Sequence, residues 1–94
     1  MKETISATLI EKEQIPQLKF KNAVDIEQSP ELMTKLMEAT RLGNIHHGKI
    51  RIEFMDDDGL KSVETTIWAT GAKYICLKGG IWLPISRIVN IKNI

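Results

Sequence analysis

The chain has 94 residues, 43% hydrophobic and 27% charged, with a net charge of +1 and a single cysteine. This size allows one buried core and excludes two independent domains, the near-neutral balance gives no global attraction to polyanions, and one thiol excludes an intrachain disulfide. One domain over residues 1–94 in a reduced cytoplasmic setting is expected, because no apolar run has the length of a leader or a membrane span.

Residues 1–28 read as an extended lead-in containing strands. Thr4, Ser6 and Thr8 alternate with Ile5, Ala7 and Leu9, and the β-branched content favours a strand there. Pro16 ends that run by pushing Ile15 towards extended geometry. Leu18, Phe20, Val24 and Ile26 then alternate with polar neighbours, as an edge strand or an extended approach to the next element.

Residues 29–43 carry the signals of a helix. Ser29 suits the N-cap, Pro30 the first helical position, Glu31 the positive end of the helix dipole, and Gly43 a left-handed stop. Leu32, Met33, Leu36, Met37 and Thr40 fall on one stripe, opposite Thr34, Lys35, Glu38 and Arg41. Burying each of the four large apolar side chains is worth about 1.5–3 kcal/mol before entropy, enough to dock the helix on a sheet face.

From residue 49 to 94 the pattern is a β-meander. Ile50, Ile52 and Phe54 alternate with Lys49, Arg51 and Glu53, and Asp58-Gly59 marks a hairpin turn. A second strand is expected from Lys61 to Ala69, with Val63, Thr65, Ile67 and Ala69 on one face and Ser62, Glu64, Thr66 and Trp68 on the other. Tyr74 to Lys78 is a third strand, Gly79-Gly80 a tight turn, and Ile81 to Ile85 a fourth, placed at an edge or ended by Pro84. Residues Pro84 to Arg87 read as one helical turn, after which Val89 and Ile91 continue as a last strand. The fold class is therefore α+β: one amphipathic helix packed on a strongly bent antiparallel sheet of about five strands, closed or open, since both need the same alternation.

Trp68, Tyr74 and Trp82 fall out of step with the aliphatic residues and point to the second face of the sheet. The helix stripe is their expected cover, with Met33 and Met37 adapting to the rings. Any ring left bare is a candidate binding residue, for a protein partner or for stacked bases, with Lys78 and Arg87 as accompanying cations. His46, His47 and the triple Asp56, Asp57 and Asp58 have the donor types of a metal site, but the loop lacks a distal glutamate and adjacent histidines diverge, so a solvated connector and a polar hairpin tip are expected. Cys76 reads as a small buried hydrophobe without a base, and Gly79-Gly80 lacks the Lys-Ser or Lys-Thr of a phosphate loop. Basic residues between Lys49 and Lys92 modestly outnumber acids, which gives the sheet half a weakly positive character.

The segments Val63-Glu64-Thr65-Thr66-Ile67-Trp68-Ala69-Thr70, Leu77-Lys78-Gly79-Gly80 and Leu83-Pro84-Ile85-Ser86-Arg87-Ile88 resemble a group of short uncharacterised bacterial proteins. They are similar in a Ser-Pro-Glu-Leu helix start and a Glu-Thr-Thr-Ile-Trp-Ala strand, over residues 20–94. The resemblance implies no activity and transfers no catalytic residue. A looser similarity to SH3-like and Sm-like small barrels rests on strand order, and fold does not fix function. The expected function is a non-enzymatic interaction module, without cofactor or metal, using a sheet face or edge for a protein partner or for self-association. A single-stranded nucleic-acid binder is the alternative, and no membrane partner is expected.

Overall fold

Thr66 divides what reads as one long strand into two, and the architecture follows from that division. In the computed structural model, which describes residues 7–22, 25–46 and 48–93, the elements run β1 (Thr8–Leu9), a 3-10 helix (Lys12–Gln17), α1 (Leu32–His46), β2 (Ile50–Met55), β3 (Leu60–Thr65), β4 (Ile67–Thr70), β5 (Tyr74–Leu77), β6 (Ile81–Pro84), a 3-10 turn (Ile85–Arg87) and β7 (Ile88–Asn93). The strands form a four-stranded sheet in the order β1-β3-β2-β7 and a three-stranded sheet in the order β4-β5-β6. All pairings are antiparallel except β1 with β3.

The expected count of about five strands thus becomes seven among the described residues, in two sheets. The Thr66 hydroxyl donates to the Gly48 carbonyl, and the Thr66 carbonyl accepts the Lys78 amide at 2.9 Å. These bonds leave the β2 ladder behind and hand the chain to the second sheet. The 3-10 turn, expected from Pro84-Ile85-Ser86-Arg87, makes the return: after it β7 pairs with β2, back in the first sheet.

Alternation builds the core as the sequence implies. Ile50, Ile52 and Phe54 of β2 are buried while Arg51, Glu53 and Met55 are half-exposed. Ile75, Leu77 and Leu83 face inward from the second sheet, each fully enclosed, and meet Ile52, Phe54, Val63 and Ile88 in one cluster.

The helix departs from expectation in bounds and in facing. Ser29, Pro30 and Glu31 form a turn ahead of it, with the Ser29 carbonyl accepting the Leu32 amide at 3.0 Å, and the helix covers 32–46 in place of 29–43. Gly43 does not stop it. A Cβ on Gly43 would stand 2.8 Å from the Ile67 carbonyl oxygen and 2.8 Å from Cγ2 of Thr66, so glycine is required there for close approach. That approach fixes the buried meridian on Leu32, Leu36 and Gly43, and turns Met33 and Met37 outward at 42% and 57% exposure.

The lead-in contributes to the core as well. Residues 4–6 of the expected first strand, and Val24 of the second, lie outside the described residues. Thr8–Leu9 does pair with β3, but residues 18–22 and 25–26 form no strand. Between them the Lys12–Gln17 helix, started by Gln14 and Glu11 capping each other, inserts Ile15 into the main cluster at 2% exposure.

Replacing Gly43 with alanine puts a methyl against backbone that cannot retreat, and is expected to cost about 1–3 kcal/mol, read as a lower urea midpoint at unchanged slope. Gly48→Ala, with nothing within 4 Å of the added carbon, is the matched control and should leave the midpoint nearly unmoved.

Candidate binding surface

β5 is the central strand of the second sheet, and its partners decide which side chains share a face. Cys76 stands opposite Trp82, and Tyr74 opposite Pro84. With Ile75, Leu77 and Leu83 turned inward, Tyr74, Cys76, Trp82 and Pro84 take the outer face. On β4 the register slips: Ile67 pairs with Leu77 but Ala69 pairs with Cys76, so two steps on β4 match one on β5. Trp68 is the extra residue of this β-bulge, and both Trp68 and Ala69 are exposed. Ala69 therefore leaves the inner face on which simple alternation places it.

The three rings are open. Trp68 is 46% exposed, Tyr74 49% and Trp82 59%. The expected cover, the α1 stripe, lies elsewhere. Gly43 meets β4 at its free edge, and farther along the Thr40 hydroxyl lies 2.6 Å from that of Thr70, whose strand partner is the inward Ile75. The helix thus closes the edge and core side of β4, and its Leu32 and Leu36 are consumed in the core. Met33 and Met37 share Thr40's stripe, on the flank opposite the one that meets β7.

Two shallow grooves border the face. One of about 350 Å³ is lined by Pro16, Phe20, Tyr74, Trp82, Pro84 and Arg87, and another of about 450 Å³ by Gln28, Ala72, Lys73, Tyr74 and Pro84. Tyr74, Pro84 and Ser86 are common to both. Lys73 and Lys78 flank β5 and are exposed. Gly79 and Gly80, at φ +92° and +81°, make the turn into β6, a conformation that L side chains resist.

Arg87, expected as an outward cation, faces inward and is 5% exposed. Its Nη1 donates to the Met55 carbonyl at 3.1 Å, its Nη2 to the Asn22 carbonyl and to Asp57 at 3.2 Å, and its guanidinium lies 5.5 Å from the Phe20 ring centre. Phe20 in turn packs on Phe54 with centroids 6.2 Å apart. These internal contacts occupy it.

Asp56 and Asp57 of the aspartate run are likewise built in, not solvated, while Asp58 is exposed at the tip. Asp56 is 2% exposed and accepts from the Asp58 and Gly59 amides and from Lys61. Asp57 accepts from the Lys21 amide at 3.0 Å and the Asn22 amide at 3.1 Å. Partial burial works to raise the Asp57 pKa, but those two amides and the Arg87 guanidinium together outweigh it and hold the carboxyl below its ordinary range. Among the described residues no three His, Cys, Asp or Glu side chains gather as metal ligands, and His47 lies outside them. Cys76 is half-buried on the outer face, in phase with Tyr74 and with the Leu77 carbonyl as its partner, and so is not the small buried hydrophobe expected.

Ile15, the bulge and the Asp57–Arg87 pair escape a reading of the sequence. The only signal for the pair is an aspartate in a turn and an arginine in an otherwise apolar stretch. No helix among the described residues is long and apolar enough to cross a membrane. No family model, curated protein or solved structure matches the chain.

Because folding lowers the Asp57 pKa, its contribution to stability is present above the unfolded value of about 3.9 and is lost as pH falls through the folded one. Asp57→Asn should therefore be less stable than the parent at neutral pH, with the gap narrowing as pH falls below about 4. Urea unfolding of both proteins across that range checks the sign.

Proposed function

We propose that this chain is a small non-enzymatic binding module whose contact surface is the outer face of β4, β5 and β6. The observation that carries this reading is the uncovered state of Trp68, Tyr74 and Trp82, one on each of three adjacent strands. Single exposed apolar side chains are ordinary on a protein surface, whereas rings gathered on one face and bordered by grooves mark an interaction site. The two methionines on the free flank of α1 add exposed apolar surface of the adaptable kind.

The element order supports the finer fold reading, an SH3-like or Sm-like small barrel. A helix precedes a meander whose second strand is bent between two sheets, and a 3-10 turn sends the last strand back against the first of the meander. In that reading β3 and β4 are the two halves of one strand. A protein surface, a second copy of the chain or a flexible polymer with flat groups can each use such a face, since all three supply apolar area to bury against the rings.

Replacing Trp68, Tyr74 and Trp82 together with threonine removes the rings while placing β-branched side chains, which suit strands, at the three positions. The variant should retain the parental circular dichroism and cooperative unfolding. Immobilised parent should hold macromolecules from an extract of its native cell that the variant releases. Identical retention by both proteins overturns the reading, and Trp82→Thr alone serves if the triple variant does not fold.

A further inference from the structure

We infer that the occupant of this face is a single strand of nucleic acid, with its bases on the rings and its phosphates on Lys73 and Lys78. This rests on the reading of the outer face as the contact surface, and charge complementarity selects the occupant. All twelve Asp and Glu residues of the chain lie at or before Glu64. The thirty residues that follow contain Lys73, Lys78, Arg87 and Lys92 and no Asp or Glu. The net charge of +1 therefore averages an acidic first part with a wholly cationic last part.

The internal contacts narrow this further. Arg87 is committed to Asp57 and to two backbone carbonyls, and Lys92 stands 3.6 Å from Glu53. Lys73 and Lys78 form no ion pair among the described residues. They bracket the central strand, one at each end of Tyr74–Leu77. Glu13, on the 3-10 segment that packs near β6, is already held by Lys12 at 2.9 Å. Fields at a surface fade within about 8–10 Å at ordinary salt, so these two free cations count for more than the balance of the whole chain.

Ring geometry fits bases better than a protein surface. Among the described residues the only close ring pair is Phe20 with Phe54, so the faces of Trp68, Tyr74 and Trp82 are not spent on one another. At about 4.8 Å between strands, Trp68 and Trp82 flank β5 about 10 Å apart, which makes separate platforms for unstacked bases. Protein interfaces are depleted in lysine at their centres and draw on both signs of charge at their rims. Here neither groove bordering the rings is lined by a carboxylate. A duplex keeps its base faces stacked and out of reach, so a single strand is required.

Tryptophan fluorescence titrations of the full chain with mixed-sequence single-stranded DNA and RNA oligonucleotides, and with a duplex, test this. Saturable quenching by a single strand, and not by the duplex, is expected. Two phosphate contacts give a salt slope of about −1.4, a roughly sevenfold loss of affinity between about 50 and 200 mM salt. Lys73→Ala with Lys78→Ala should flatten that slope, and Trp82→Thr should weaken binding roughly 5- to 150-fold by removing one stacking platform. No quenching at low salt overturns the inference, as does binding indifferent to Trp82→Thr. A dimer in light scattering that the triple threonine variant dissolves also overturns it, because the occupant is then a second copy. If oligonucleotides fail while the ring variant still alters retention from extract, the occupant is a protein and the docking face stands; if both fail, the face itself is refuted.

Discussion

Thr66 makes three contacts at one point of the chain, and the positions of the other elements depend on them. Its hydroxyl holds the Gly48 carbonyl between α1 and β2, its carbonyl takes the Lys78 amide at the end of β5, and its methyl lies where Gly43 lets the helix come in. A threonine at 4% exposure with its hydroxyl satisfied is inexpensive to bury, whereas an unpaired one would cost about 1–3 kcal/mol. The bend therefore locks the helix beside β4. Once locked there, the helix keeps Leu32 and Leu36 in the core and leaves the far side of the sheet uncovered.

A second tie works at the opposite end of the core. Arg87 and Asp57 draw residues 19–22, the β2–β3 turn and the 3-10 turn before β7 into one polar cluster beneath Phe20. No buried side-chain nitrogen or oxygen among the described residues lacks a partner, so the cluster is internally satisfied. A satisfied buried pair adds little net stability compared with an apolar replacement, yet losing one partner is costly. Its evident effect is to fix the path of a segment that has no ladder of its own.

Local signals are legible where short-range chemistry decides. Alternation at Ile50, Ile52 and Phe54, the Asp58-Gly59 and Gly79-Gly80 turns, and Pro84 ending a strand before a helical turn all depend on neighbours within a few residues. The misreadings have a common origin in distant partners. Gly43 has the sequence of a stop and the role of a contact surface, because what it touches lies more than twenty residues on. Asp56 and Asp57 look solvated until their partners Lys61, Lys21 and Arg87 are in place. The candidate face was half legible: the rings announce a second apolar side, but whether the helix reaches them is settled by Gly43 and Thr66, neither of which is aromatic or on that face.

The bulge at Trp68 bears on how such a surface is inherited. Without it, β4 would alternate strictly and show one large side chain outward; with it, two consecutive residues are displayed and the phase beyond them is inverted. The displayed set is thus a property of register, stored in a single inserted position. A one-residue deletion between Ile67 and Thr70 would redraw the exposed face while leaving composition almost untouched, so this surface can diverge in a single step between chains that share the same core.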